Sequence, residues 1–592
     1  MRTMLCAALI AGTFLRGAEE GQGGEAPKGE TPPVEGLARL LERFEREKSL
    51  SPDKRLEAIE EFKLHRTPEC VKFLLKIMPG ETDMTIIRAI VIDLAMLGTA
   101  ESVSAAVAEG LPRLAPLVQI SRERDPLVPR IWTYRAGNDY RMLPDFYFGE
   151  ISGALAAVTD AKAQDWLMLR GLEGPIAKDP LLTQFMLSVI AQVEHRHRGK
   201  ALGDFLRKTR DSQLMGAAVD AARLARLPDP DFTKLVVKLL KHRDHDIQIA
   251  SVLYLEKTAL DELKKELPKL LKNPSAEMRM LAIDCVHESK LGVALIAPLL
   301  GDKDWRVRAT AVRAVGRAAT VDAVTALVKR LGSEDHPRII DDIADALTRV
   351  TGEDLGRQFP VWDGWWKANQ SKAVLKWRDS AELGMLKARR ATKGRTTSYY
   401  GLDVSNFACF LLDISLSMRE QYEGETVTMG AGPRTEVKDK SGRKVERKQK
   451  IEFARENLMK ALSQLSPHVH YNIITFTHEA RAWRDCLQEN TDELRAEAFR
   501  FLEDQRPSGS TNIYDALLIA FSDPQVDTIY LLSDGEPTTG HITDTARMLE
   551  EIRRINLFRK VKINTIGFNL KGEAEELMRK LADENYGAFV AK

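Results

Sequence analysis

Five oxygen-bearing side chains carry the clearest chemical signal in this 592-residue sequence. Asp413, Ser415 and Ser417 end the run Phe407-Ala-Cys-Phe-Leu-Leu-Asp-Ile-Ser-Leu-Ser. Thr511 lies in Pro507-Ser-Gly-Ser-Thr-Asn-Ile-Tyr-Asp, and Asp534 in Ile529-Tyr-Leu-Leu-Ser-Asp-Gly-Glu-Pro-Thr. Two carboxylates and three hydroxyls form an oxygen-only set. Such hard ligands suit Mg²⁺, Mn²⁺ or Ca²⁺ and suit zinc or copper poorly. The elements that must position them are legible nearby. Phe407 to Leu412 has the length and composition of a strand buried on both faces, as in a parallel sheet. The Thr511 turn opens a helix, and a second apolar strand runs into Asp534. Open α/β sheets place ligands at the C-terminal edge of their strands, where these loops fall.

This arrangement resembles the von Willebrand factor type A domain and its metal-ion-dependent adhesion site, whose pattern is Asp-x-Ser-x-Ser, then a Thr, then an Asp. Asp413, Ser415, Ser417, Thr511 and Asp534 match it position by position, and the resemblance covers roughly the last third of the chain. It implies that the Ser and Thr oxygens touch the metal while the Asp residues act directly or through water. It also implies an open coordination position, which an Asp or Glu of another protein completes. One departure stands out: many family members have Gly between the two serines, where this chain has Leu416, implying a restricted loop or a metal shielded on one side. Ser533 and Asp515 are candidates to orient the loops. A strand-end hydroxyl and a helix-start charge are their plainer roles.

Composition narrows the function classes. Charged residues make up 29% of the chain but the formal net charge is only +1, so no polyanion-binding field is implied and nucleic acid is not an expected partner. The five cysteines (Cys6, Cys70, Cys285, Cys409, Cys486) show no Cys-x-x-Cys spacing, so neither a zinc site nor a disulfide framework is indicated. Met1 to Ala18 reads as a secretory signal peptide: Arg2, an apolar run from Met4 to Phe14, then Gly17-Ala18. No later stretch reaches the roughly 18 apolar residues that span a bilayer. Export to the periplasm or the extracellular space is therefore expected.

Along the chain, residues 19–34 read as a flexible Gly/Pro/Glu leader. From residue 35 apolar residues recur at helical spacing with no alternating strand pattern, so 35–200 reads as irregular helical repeats. Residues 201–372 read as a solenoid. Ile247-Gln-Ile-Ala-Ser-Val252, Met278-Arg-Met-Leu-Ala-Ile283 and Val307-Arg-Ala-Thr-Ala-Val312 recur at a period of roughly 30 residues, and Asp302-Lys-Asp-Trp-Arg-Val-Arg resembles the start of a HEAT-type repeat, where Asp caps the first helix. Stacked repeats of this kind offer an extended surface for a second protein partner. Trp362, Trp365 and Trp366 fall at helical spacing and read as a cap over the last repeat. Trp132, Tyr134, Tyr140, Phe146 and Tyr147 read as packing of a long loop or an irregular repeat.

Residues 373–398 read as a connector helix (Trp377 to Arg390) and a hinge, and 399–592 as the α/β domain, with Tyr399 to Val404 as a lead-in strand. Within that domain, residues 419–449 form an insertion in which Glu436-Val-Lys and Arg443-Lys-Val-Glu suggest a hairpin, while its mixed charges equally suit a disordered, solvated loop. The expected architecture is an all-α HEAT-like solenoid followed by a doubly wound, Rossmann-like α/β domain.

Other constellations are weaker. His468 and His470, His195 and His197, and His242 and His245 each lack the third ligand that zinc requires. No Gly-x-Ser-x-Gly elbow, phosphate-cradling loop or His-Glu-x-x-His is present. The expected role is a non-enzymatic exported scaffold that binds one protein through the metal and another through the solenoid. An adaptor presenting clients to an ATPase, and a metal-dependent hydrolase, are the alternatives.

Overall fold

The computed structural model describes residues 67–115, 145–288, 292–393, 398–422 and 448–592, together with Arg39, Glu42, Arg55, Leu56, Ile59 and the backbone of 436–438 and 444–446. The expected signal peptide and leader, the aromatics Trp132, Tyr134 and Tyr140, residues 394–397 of the expected hinge and most of the insertion lie outside the described residues. The chain divides into two compact units, one running through Glu266 and the other from Leu267 to Lys592.

The described residues of the first unit are helical throughout. Aspartates start many of the helices: Asp83, Asp160, Asp179, Asp211, Asp229 and Asp244 each accept hydrogen bonds from backbone amides of the first turn. Each cap satisfies donors that the helix itself leaves unpaired. The helix His245–Thr258 carries the first copy of the repeated segment.

The second unit continues the repeat with helices α1 (Ala276–Glu288), α2 (Trp305–Arg317), α3 (Val321–Leu331) and α4 (Pro337–Thr351). Asp304 caps α2 by accepting from the Arg306 amide. Asp302, just before it, holds Arg279 of α1 in a two-point ion pair at 2.7 and 2.8 Å. Arg308 of α2 repeats the device, reaching Glu334 ahead of α4. The helix expected over Val293 to Leu300 is shorter: Val293–Ile296 is α-helical and Ala297–Gly301 tightens to 3₁₀. Pro298, which has no amide to donate, stands at that change.

Helix α5 (Phe359–Asn369) buries Trp362 and Trp366. The Trp366 indole donates to the Thr325 hydroxyl of α3 at 3.0 Å, which places α5 against the last repeat as the Trp spacing suggests. The connector helix α6 starts at Ser380 rather than Trp377 and runs to Lys393. Asp379 caps it by accepting from the Glu382 amide, and Trp377 instead lies under the Arg349 guanidinium.

The α/β part is a seven-stranded sheet. Its strands are β1 (Phe407–Asp413), β2 (His470–Phe476), β3 (Ala480–Ala482), β4 (Gln488–Glu489), β5 (Thr528–Ser533), β6 (Lys562–Gly567) and β7 (Phe589–Ala591). The order is β4-β2-β1-β5-β6-β7, with β3 pairing β2. Strands β2, β1, β5, β6 and β7 are parallel, while β3 and β4 lie antiparallel on the outer edge of β2. Side chains alternate between the two faces, as a strand requires. Phe410, Leu412, Tyr530 and Leu532 pack with helices α7 (Lys450–Ser463) and α8 (Asp492–Glu503). Cys409, Leu411, Ile529 and Leu531 pack with α9 (Ile513–Ser522), α10 (Thr545–Ile555) and α11 (Gly572–Glu584).

Two details differ from the sequence reading. The expected lead-in strand is a minimal hairpin, Ser398–Tyr399 with Leu402–Asp403, separate from the main sheet. Strand β4 was not anticipated; two residues are too short for an alternation pattern to register. In the insertion, Glu436–Lys438 and Lys444–Glu446 pair antiparallel as the hairpin reading expects.

The sheet meets α4 and α6 at the N-terminal ends of its strands. Lys562 of β6 lies 2.8 Å from Asp342 and 2.9 Å from Asp345 of α4. Lys387 of α6 lies 2.6 Å from Asp345 and 3.3 Å from Asp403. Arg338 of α4 donates to the Asp527 carbonyl ahead of β5 at 2.6 Å. At the β7 flank of the sheet, a Cβ on Gly384 of α6 would strike the Phe589 carbonyl, so this close approach of helix to strand needs glycine.

Candidate metal centre

The chain runs from β1 to β2 on one side and from β5 to β6 on the other, so their loops part above the β1–β5 pair. That is the switch point at which doubly wound sheets form ligand crevices. Leu412 stands beside Leu532 in the parallel register. Asp413 and Ser533, the next residue on each strand, are therefore neighbours.

From this pair the site builds outward as one hydrogen-bonded chain. The Ser533 hydroxyl donates to Asp413 Oδ2 at 2.6 Å. Asp413 Oδ1 accepts from the Ser415 amide at 2.8 Å, which folds the loop back over the strand end. The Ser415 and Ser417 hydroxyls lie 3.0 Å apart, and Ser417 Oγ donates to Asp534 Oδ1 at 2.7 Å. Four of the five predicted residues, from loops 117 positions apart, thus share one network.

Thr511 arrives on a third loop. Its amide donates to the Thr538 hydroxyl and its carbonyl accepts from the Thr538 amide, both at 2.9 Å, which ties this loop to the one after Asp534. Its hydroxyl lies 3.8 Å from the place a Cβ on Gly535 would take. Thr511 therefore faces the Asp534–Gly535 turn without joining the hydrogen-bonded chain.

Of the two further candidates, Ser533 touches Asp413 directly. Asp515 stands one step away, accepting from Asn512 Nδ2 at 2.7 Å and lying 2.9 Å from His541 Nδ1. Asn512, unremarked in the sequence, caps α9 through the Asp515 amide and also donates to the His478 carbonyl. Gly540 passes so close to Asn512, at a φ of +107°, that no side chain fits there. Leu416 follows Ser415 into a 3₁₀ turn, with an ordinary negative φ and a side chain 53% exposed. The loop accepts it without strain, and it stands at the rim in solvent.

The electrostatics are unusual. The Asp413 and Asp534 side chains are both fully buried. Burial pushes the Asp413 carboxyl up to about 6, against the Ser533 and Ser415 hydrogen bonds, with the Asp534 charge adding to the rise. One ammonium compensates the pair: Lys450 Nζ lies 2.8 Å from Asp534 Oδ2 and 2.6 Å from Glu420 Oε2. Burial opposes the Lys450 charge, but its bonds to Asp534 and Glu420 outweigh that and raise its pKa. The sequence offered no sign of this role, since a lysine opening a helix reads as a solvated charge.

Among the described residues, no group of three or more His, Cys, Asp and Glu side chains is placed to hold a metal ion. A metal at this edge would rest on hydroxyls as much as on carboxylates. The donor set fits a hard divalent ion: it is all oxygen, it holds two buried anions, and it already draws a cation to Asp534.

Comparisons with known proteins agree with the architecture. Residues 265–348 match the family model for HEAT repeats, and residues 439–590 match that for the von Willebrand factor type A domain, a span that begins after Ser417. Human von Willebrand factor A domain-containing protein 3A is 35% identical over 120 residues, covering 20% of this chain and 10% of that protein. Bovine inter-alpha-trypsin inhibitor heavy chain H4 is 32% identical over 164 residues, covering 26% of this chain and 17% of that one. Among solved structures, a von Willebrand factor type A protein from Catenulispora acidiphila aligns over 32% of this chain and 39% of its own, at 18% identity and a TM-score of 0.25. The chain carries HEAT repeats followed by a von Willebrand factor type A domain.

Proposed function

We propose that this chain is an exported scaffold of adhesion type, binding a protein partner through a divalent cation, Mg²⁺ or Mn²⁺, held by Asp413, Ser415, Ser417, Thr511 and Asp534. The observation that carries this reading is the meeting of two buried carboxylates and two seryl hydroxyls in one hydrogen-bonded chain at the sheet's switch point. Two carboxylates balance the charge of the cation while hydroxyls add none, so the ion keeps its pull on a further anion. Mg²⁺ prefers six oxygens in an octahedron. An Asp or Glu side chain of a partner would add a further oxygen to those this chain offers.

The protein's own residues bind and orient rather than react. Asp413 and Asp534 hold the charge, Ser533 fixes the Asp413 carboxylate, and Thr538 fixes the Thr511 loop. Among the described residues, the site has no histidine hydrogen-bonded to Ser415 or Ser417 that would make either a nucleophile. The helical repeats serve as a second protein-binding surface. Export rests on the reading of residues 1–18, and among the described residues no helix is long and apolar enough to cross a membrane.

Titration calorimetry of the full chain with Mg²⁺ and Mn²⁺ tests the site. One equivalent of ion is expected to bind, and the Asp413→Ala, Asp534→Ala double variant is expected to bind none. Undiminished binding by that variant removes the assignment. Capture of a partner with the intact chain, with and without chelator, tests the recognition step, and cell fractionation tests export.

A further inference from the structure

We propose that Lys450 is a tethered counter-cation of the metal centre, which holds Asp534 when no divalent ion is bound and thereby sets the affinity for that ion. The inference rests on the metal reading above and concerns a residue outside the five-oxygen set. Lys450 opens α7, and its side chain is only 6% exposed. Its ammonium lies 2.8 Å from Asp534 Oδ2, while Ser417 takes the other oxygen of the same carboxylate. Among the described residues no other Lys, Arg or His is ion-paired with Asp413 or Asp534. The site therefore holds two buried negative charges and one resident positive charge.

A divalent ion entering beside Asp534 meets that positive charge a few ångströms away, inside a region poor in water. Like charges so placed repel strongly. The ion must weaken the Lys450–Asp534 pair before it binds at full strength. Glu420 offers the ammonium somewhere to go. Its Oε2 is already 2.6 Å from Lys450 Nζ, its side chain is 68% exposed, and its carbonyl accepts from the Lys450 amide at 2.9 Å. Lysine can thus leave Asp534 for Glu420 with little movement. The pair also sits at the neck of the insertion, where Gln421–Tyr422 pairs with Lys448–Gln449.

Equilibrium dialysis of Mn²⁺ against the full chain, with thermal melting as the check on folding, tests this. Lys450→Met is expected to raise Mn²⁺ affinity by at least about tenfold, and Lys450→Arg, which keeps the charge, to stay within about threefold of the parent. Glu420→Gln, at an exposed side chain, is expected to weaken Mn²⁺ binding, because the ammonium then has only Asp534. A folded Lys450→Met chain with unchanged or weaker affinity overturns the proposal. So does a Glu420→Gln chain that binds as the parent does, which keeps the test open should Lys450→Met fail to fold. Mn²⁺ binding by the parent with no response to either variant overturns the counter-cation alone. No binding by the parent and by a folded Lys450→Met chain overturns the metal reading as well.

Discussion

The two edges of the sheet are built from opposite electrical choices. At the N-terminal edge, Lys562 and Lys387 face Asp342, Asp345 and Asp403, and Arg338 caps the Asp527 carbonyl. Cations and anions are matched there, and both come from this chain. At the C-terminal edge, Asp534 pairs with a single lysine and Asp413 with none, and the other side-chain partners are neutral hydroxyls. A matched edge serves to hold parts of the same molecule together. An edge short of positive charge is suited to an ion from outside. The repeats use matched pairs as well: Arg279 reaches Asp302 and Arg308 reaches Glu334, while Arg338 of α4 pairs with Asp342 and donates to the Asp527 carbonyl before β5.

Substitutions that break the matching at the junction should have the largest effect. Asp345→Ala leaves Lys387 and Lys562 short of a buried partner and is expected to cost about 3–5 kcal/mol, read as a lowered denaturant midpoint. Acid sharpens this expectation. Burial alone would raise the Asp345 pKa, but Lys387 and Lys562 more than offset it and hold the carboxyl below its usual range. A depressed folded-state pKa contributes stability that is complete above the unfolded value, about 3.9, and is lost as the pH falls further. Denaturant midpoints measured down through that range should fall, and Asp345→Asn should flatten the slope.

At the other edge the effect of removing a carboxylate reverses in kind. Asp534→Asn leaves Lys450 with Glu420 and should change the melting temperature little in chelator. The parent chain, by contrast, should gain about 2.7 kcal/mol at a roughly hundredfold excess of Mg²⁺ over its Kd, and the variant should not. A junction variant that retains the Mg²⁺ gain would show that the two edges act independently. The smallest expected effect lies in the cap: Trp366→Phe removes the bond to Thr325 and should cost about 1 kcal/mol of stability by the same midpoint measurement.

Much of this architecture is legible in the residues. Apolar runs announce β1 and β5 because strands buried on both faces leave little choice of side chain, and the carboxylates and hydroxyls after them fall where the sheet needs its loops. The repeated segments at Ile247, Met278 and Val307 announce stacked helices for a similar reason. The pairing of Lys450 with Asp534 is not legible. It joins residues 84 positions apart, and nothing in the local pattern separates a buried lysine from a solvated one. Arg338 and Asp527 are 189 positions apart, so the junction is equally silent in sequence. The lead-in strand fails for a different reason: Gly401, at a φ of +89°, turns the chain back before a strand can form. Periodicity reports which face is buried. It does not report which distant charge will share that face.

The close approach at Gly384 has a consequence for how other chains can attach. Helix α6 lies hard against one flank of the sheet, and the opposite flank is occupied by two strands of only two and three residues. Exposed strand borders invite pairing with stray polypeptide and seed aggregates; short borders and helical covers frustrate this. Replacing Gly384 with a bulkier residue should push the helix off β7 and uncover its backbone, making the protein prone to self-association while the loops carrying Asp413 and Asp534 are left untouched.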